Sequence, residues 1–246
     1  MHRPAVTHLR RADPVLARVI ASVGPCRFQP RAEGTHLAAI LRAIVYQQLS
    51  GSAAFTIHGR FLALFGGAAP IAAQLLEISD DALRGVGLSR QKIGYMRDLA
   101  ARVHGDAVPI DTLHELDDDA IIAALTSVKG VGRWTAQMFL MFRLGRPDVL
   151  PEMDLGIRKA VQRAYRTRGL PAPKRVLALG EPWAPYRTVA SWYLWRSLEV
   201  GGTTTTPAAR RQGGAAGGKR AAPRPATAAK RGTGAKQRGT RERRAR

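Results

Sequence analysis

Most of the chain follows one pattern: apolar side chains three and four residues apart, with polar or charged residues between them. In "THLAAILRAIVYQQL" the apolar positions are Leu37, Ile40, Leu41, Ile44 and Val45, the one-face spacing of an amphipathic helix, and "AAFTIHGRFLALFG" and "RQKIGYMRDLAARV" keep the same period. Alternating period-two runs, the mark of half-buried strands, are scarce. The pattern predicts an all-α protein. Local signals agree: Asp13-Pro14 reads as the opening of the first helix, Gly66-Gly67 closes another, Ser89 precedes "RQKIGYM", and acids lead "LDDDAIIAALTSV", where a helix dipole favours them. No internal repeat is evident. Because no stretch before residue 201 has linker composition, residues 1–200 are expected to form one compact body of two helical lobes with a cleft between them.

Beyond residue 200 the periodicity stops. Residues 201–246 consist of Gly, Ala, Pro, Thr and Arg with almost no large apolar side chain, so burial there cannot offset the entropy of ordering, and a disordered tail is expected. Of the 39 Lys and Arg and 18 Asp and Glu, 13 and one (Glu242) lie in this tail, so 12 of the 21 net positive charges sit there and about nine remain on residues 1–200. Both parts are basic, and the usual polyanion for such a protein is nucleic acid. The tail reads as a sequence-blind phosphate tether whose grip falls with salt, or as a solubilising extension or translation remnant.

Other classes are set aside by what is missing. The longest apolar runs, such as "AAILRAIVY", are broken by Arg or Gln well short of a membrane span, and "MHRPAVTHLRRADP" has no apolar signal region, so an intracellular protein without a membrane partner is expected. A single cysteine, Cys26, excludes an intramolecular disulfide, a multi-cysteine zinc site and a four-cysteine iron–sulfur cluster.

One stretch carries chemistry. "DDDAIIAALTSV" reads as a helix, "KGVG" as a tight turn and "RWTAQMFLMFRLG" as a second helix, together a helix-hairpin-helix over about residues 117–145. Gly130 and Gly132 permit positive φ and leave no side chain between the backbone and a phosphate approaching the second helix's N-terminus, while Lys129 and Arg133 add charge there. The run Lys129, Gly130, Val131, Gly132, Arg133 and Thr135 is therefore the candidate DNA-binding element. The plainer alternative is an ordinary turn with glycine as C-cap and Trp134 in the core.

The run from "VKGVGRWTAQMFLMF" through "DVLPEMDLGIRKAV" resembles the helix-hairpin-helix DNA glycosylases of the HhH-GPD superfamily, and within it the DNA-3-methyladenine glycosylase II (AlkA) type. "IVYQQLSGSAAFTIHGRF", "GVGLSRQKIGYMRDLA" and "EPWAPYRTVASWYLWR" look like the other family segments in order, extending the resemblance over roughly residues 35–198. Only about 35 residues precede it, so the N-terminal β domain of some larger members is not expected.

The resemblance implies hydrolytic removal of an alkylated purine extruded from double-stranded DNA by a monomer; abundant Ala and Arg fit a GC-rich bacterial genome, so the bacterial cytoplasm or nucleoid is expected, with "AAKRGTGAKQRGTRERR" as a nuclear address the alternative. It implies no organic cofactor, no iron–sulfur cluster and no catalytic metal; a structural monovalent cation at the hairpin is compatible with it. Asp154 falls at the catalytic aspartate position, where a carboxylate stabilises the oxocarbenium-like transition state and orients or deprotonates water; its plain alternative, N-cap of "LGIRKAVQRAY", is compatible with that role. Glu152, two residues upstream, reads as an exposed turn acid. Trp134 occupies the position that carries a Schiff-base lysine in bifunctional members, which implies a monofunctional enzyme without lyase activity.

Trp134 and Trp195 match pocket tryptophans that hold electron-poor bases by stacking. Met138 stands where an aromatic is familiar, and Tyr46 is either its replacement from another helix or a core residue. Gln48 or Leu49 is the candidate wedge filling the gap left by the extruded base, with a buried Leu49 at a helix end as the alternative. Arg90 and Lys92 are phosphate contacts or a solvated helix face. Two other functions stay open from sequence: a bifunctional glycosylase-lyase for other damaged bases, and a non-enzymatic helix-hairpin-helix DNA-binding protein.

Overall fold

A computed structural model describes residues 2–31 and 33–200, which form twelve α-helices and, among the described residues, no strand. The expected disordered tail, residues 201–246, lies outside the described residues. In order, the helices are α1 (Arg3–Ala12), α2 (Pro14–Val23), α3 (His36–Tyr46), α4 (Gly51–Ala63), α5 (Ala72–Glu77), α6 (Asp80–Gly85) and α7 (Arg90–His104), followed by α8 (Asp118–Thr126), α9 (Arg133–Phe139), α10 (Leu155–Tyr165), α11 (Pro173–Gly180) and α12 (Arg187–Val200).

Their apolar faces build two cores. One gathers α3 to α9 around Ile40, Ile44, Phe61, Leu99 and Ile121; the other joins α1 and α2 to α10, α11 and α12 around Leu9, Leu16, Ile20, Val161, Trp183 and Tyr193. The first two helices therefore complete the lobe built by the last three, a closure over some 170 residues of chain that no local pattern reveals. Phe142 and Trp195 pack against both cores, their rings stacked with centroids 5.9 Å apart.

Capping signals acted where expected at several ends. The Ser89 hydroxyl accepts the Lys92 amide at 3.2 Å to open α7, Asp117 accepts the Ala120 amide at 2.8 Å to open α8, and Gly66 and Gly67 follow α4 at φ +72° and +91°. The reading of Asp13-Pro14 as the first helix start is corrected: α1 precedes it, beginning beside Pro4, and Asp13 opens α2.

The single second hairpin helix is corrected too. It is α-helical only to Phe139; residues 140–144 form a π turn that ends at Gly145 in the left-handed conformation. In that turn the Phe142 carbonyl accepts the Arg31 amide at 2.7 Å, a bond made outside the helix ladder, and the Phe142 ring lies against Trp195.

Asp13 shows how the second lobe is locked. Its Oδ1 accepts the amides of Val15 (2.8 Å) and Leu16 (3.1 Å), while Oδ2 accepts from Trp183 Nε1 at 2.9 Å and from the Tyr165 hydroxyl. Burial pushes its carboxyl upward, but the Tyr165 and Trp183 donors and the two amides outweigh it and hold Asp13 below the ordinary carboxylate range. The ionised group thus contributes stability that is complete above about pH 4 and is lost as pH falls through the depressed folded value. In urea unfolding at neutral pH, Asp13→Ala should lose about 2 to 4 kcal/mol, since it removes a cap and strands the buried Trp183 indole and the half-buried Tyr165 hydroxyl. That deficit should shrink as pH falls below about 4; a deficit independent of pH would contradict the ionised lock.

Candidate active site

The hairpin turn is held from three sides. Gly130 adopts φ +77°, and a Cβ there would meet the Tyr95 ring at 2.2 Å, so both its conformation and its neighbour require glycine. Its carbonyl accepts Gln47 Nε2 at 2.9 Å, tying the turn to the end of α3. The Lys129 amide and Arg102 Nε each donate to Asp98 Oδ2 at 2.9 Å, and these donors outweigh burial to hold the Asp98 carboxyl below its usual range.

Gly132 departs from expectation. As N-cap of α9 it lies at φ −92° and ψ 170°, a conformation any residue adopts, and the space where its Cβ would stand is open. Val131 is also corrected: its side chain is in the first core and its amide is used by the Val128 carbonyl at 3.1 Å, so it has no donor left for a ligand. Thr135 is buried at 7% exposure and faces inward, whereas Lys129 and Arg133 stand exposed.

Asp154 sits beyond the hairpin as N-cap of α10 and receives three donors. Oδ1 accepts the Ile157 amide and Trp195 Nε1, each at 2.8 Å, and Oδ2 accepts Trp134 Nε1 at 2.8 Å. The α10 dipole adds its positive end to this anion site. Gly156 makes the approach of Trp195 possible, since a Cβ there would lie 2.9 Å from the indole Cδ1 and 3.0 Å from Asp154 Oδ1.

Glu152 is not the exposed turn acid expected from sequence. It is 7% exposed and accepts from Gln137 Nε2 at 2.8 Å and Arg133 Nε at 3.3 Å, bracing the start of α9 against the segment that carries Asp154. Trp134, by contrast, is 47% exposed for so large a ring, which rules out the core alternative.

Trp134 forms one wall of a cavity of about 820 Å3 between α3, α7 and α9. Met138, Thr135 and Tyr46 supply other walls, and Gln48 and Leu49 line it from the loop after α3. Gln48 holds φ +56°, uncommon for a residue other than glycine, and Leu49 is 38% exposed, so the wedge candidates protrude and the buried-Leu49 alternative fails.

Tyr46 lines the cavity with one ring face already covered, the Arg42 guanidinium lying 4.1 Å from its centroid. Lys92 is neither a solvated charge nor free for a phosphate: Nζ donates to the Val45 carbonyl at 2.7 Å, and burial pushes its pKa below the ordinary lysine value. Trp195 is not among the residues lining this cavity; it donates to Asp154 Oδ1 and stacks against Phe142. The cavity walls thus come from the first lobe and the carboxylate beside it from the second. Among the described residues, no group of three or more His, Cys, Asp or Glu is placed to hold a metal ion, and no helix is long and apolar enough to cross a membrane.

Residues 41–185 match the family described as HhH-GPD superfamily base excision DNA repair protein. The chain belongs to this family. DNA-3-methyladenine glycosylase 1 of Schizosaccharomyces pombe is 32% identical over 201 residues, covering 80% of this chain and 87% of that one. Among solved structures, the 3-methyladenine DNA glycosylase of S. pombe in complex with abasic DNA superposes with a TM-score of 0.70 at 32% identity, covering 78% of this chain and 95% of that chain. DNA-3-methyladenine glycosidase of Bacillus halodurans gives 0.72 at 37% identity over 80% and 89%.

Within this HhH-GPD chain, sequence reasoning missed Gln47, Tyr95, Asp98 and Gly156. Gln47, Tyr95 and Asp98 act through contacts 83, 35 and 31 residues away in the chain, and Gly156 acts by the absence of a side chain, so no local pattern marks them. Gly156→Ala should push Trp195 off Asp154, changing tryptophan fluorescence and lowering the melting temperature, while Gly132→Ala leaves both near wild type; equal behaviour of the two variants would refute the packing role assigned to Gly156.

Proposed function

We propose that the protein is a monofunctional DNA N-glycosylase that extrudes alkylated purines from duplex DNA and cleaves their N-glycosidic bond by hydrolysis, leaving an abasic site. The observation that carries this reading is a single indole with two tasks: Trp134 walls the cavity and donates to Asp154, so a base stacked there would place its sugar near that carboxylate. The relatives' names point to the same reaction and to 3-methyladenine as the type of lesion.

An N-alkylated purine leaves readily because it is electron-poor, and positive charge grows on deoxyribose as the bond lengthens. Asp154 is the anion for that charge and the acceptor that orients water, its three donors fixing the carboxylate while a lone pair on Oδ2 stays available beside Trp134. The carboxylate needs no movement during the reaction. Extrusion costs a few kcal/mol of unstacking, and Gln48 or Leu49 fills the space left behind.

The Lys129 and Arg133 side chains and the Gly132 and Arg133 amides bind the DNA backbone, with Gly130 setting the turn. The Val128 and Gly130 carbonyls accept from the Val131 amide and Gln47, and no step of the reaction uses a hairpin cation. The protein acts as a monomer on duplex DNA in the cytoplasm or nucleoid, and its basic tail adds salt-sensitive, sequence-blind affinity.

Schiff-base chemistry has little support here. The hairpin position is an indole, and the lysine that lines the cavity, Lys92, is engaged with the Val45 carbonyl. DNA binding alone does not call for a carboxylate beside the cavity, where an anion opposes the approach of a phosphate backbone.

The test uses duplex DNA carrying N-methylated purines, with free base and strand breaks scored separately. Wild type should release base and leave the strand intact until alkali is added. Asp154→Asn should reduce release at least about a hundredfold while DNA binding persists. Activity retained by that variant would remove Asp154 from the mechanism, and a borohydride-trappable intermediate would refute the monofunctional reading.

A further inference from the structure

Behind Met138 lies a second cavity that the excision of a methylated purine does not use. It measures about 420 Å3 and is bounded by α3, α4, α9, the π turn, the loop that follows α4, and Arg31 and Glu33 before α3. Ala43, Thr135 and Met138 line both this space and the cavity walled by Trp134, so together they are the partition between the two. Ala38, Ala39 and Ala69 contribute only small side chains to its lining, and Phe139 and Leu62 make it apolar.

The partition is soft. Methionine is unbranched, has three rotatable bonds and re-packs at little cost, whereas an aromatic ring at the same place would be a rigid wall. Met138 is also half-buried rather than locked in the core. A water molecule occupies about 30 Å3 of liquid, so 420 Å3 is room for an apolar substituent on the order of ten heavy atoms, far more than one methyl group. Arg31, Glu33, Arg42, His58 and Arg143 form the polar part of its lining; of these, Arg42 lies over Tyr46, and Arg143 donates to the Arg31 and Glu33 carbonyls at 3.0 and 2.8 Å.

We infer that Met138 is the specificity-determining residue that lets the protein accept purines bearing bulky apolar N-alkyl groups, the alkyl chain passing Met138 into the alanine-lined cavity while the purine rests against Trp134. This rests on the glycosylase reading above, and the substrate class is purines alkylated with chains of several carbons. Burial of each methylene in such a pocket adds to transition-state binding in the same way that it sets selectivity elsewhere.

The experiment compares two DNA substrates, one treated with a methylating agent and one with an n-butylating agent, and measures released purines by mass spectrometry. Wild type should release both. Ala39→Leu fills the second cavity without touching the first, and should leave methylpurine release unchanged while lowering butylpurine release about tenfold or more. Met138→Tyr is read as a ratio and should shift butyl-to-methyl selectivity in the same direction.

Ala69→Leu fills the cavity from a loop rather than a helix, and methylpurine release within each variant reports whether it is folded. Release of methylpurine with no butylpurine from wild type, or butylpurine release untouched by both Ala39→Leu and Ala69→Leu, overturns the inference and leaves the glycosylase reading standing. Failure to release either purine overturns both.

Discussion

The structure around the site depends on the hydrogen bonding of one carboxylate. Asp154 takes an amide from its own helix, one indole from α9 and another from α12, so three separate elements have their relative positions set by a single anion. Charge-assisted bonds to an ionised acceptor are about twice as strong as neutral ones, which makes this cluster costly to disturb. Trp195 must also satisfy its apolar surroundings, and it does so by stacking on Phe142 where the two cores meet. Correct assembly of the lobes and correct placement of the carboxylate are therefore one event.

A parallel arrangement holds the hairpin side. Gln47 bonds to Gly130, Tyr95 fills the place of its absent side chain, and Asp98 holds the Lys129 amide, so α3, α7 and the hairpin turn are fastened together just beside Gln48 and Leu49. The strained backbone at Gln48 sits next to the best-anchored residue of that loop. Such pre-organisation lowers the ordering cost that a loop would otherwise meet on binding. Glu152 does the same for the start of α9 through Gln137 and Arg133.

The cavity has a different character from its anchors. Its polar edges are fixed by hydrogen bonds, yet the wall between it and the space behind is a thioether chain flanked by alanine and threonine. Rigid positioning of the carboxylate and adaptable accommodation of the substituent are compatible because they involve different side chains, Trp134 and Met138 standing one turn apart on α9. The departure from an aromatic at Met138 thus reads as a change in what the pocket admits, with the carboxylate cluster left intact.

Much was legible before any coordinates. Helical periodicity, N-cap residues and the glycine turn are local properties, set by φ/ψ preferences and by spacing within a few residues, and they placed the helices, the hairpin and Asp154 as an N-cap. What the tertiary structure decided was everything that depends on distant partners: that α1 and α2 complete the C-terminal lobe, that Glu152 is buried, that Lys92 caps a helix, and that Trp195 donates to the Asp154 carboxylate. The π turn belongs with these, since the bond between the Arg31 amide and the Phe142 carbonyl joins residues far apart in the chain. Local sequence carries backbone preference and polarity, but a side chain's partner is chosen by packing, and packing is known only when the whole chain has closed on itself.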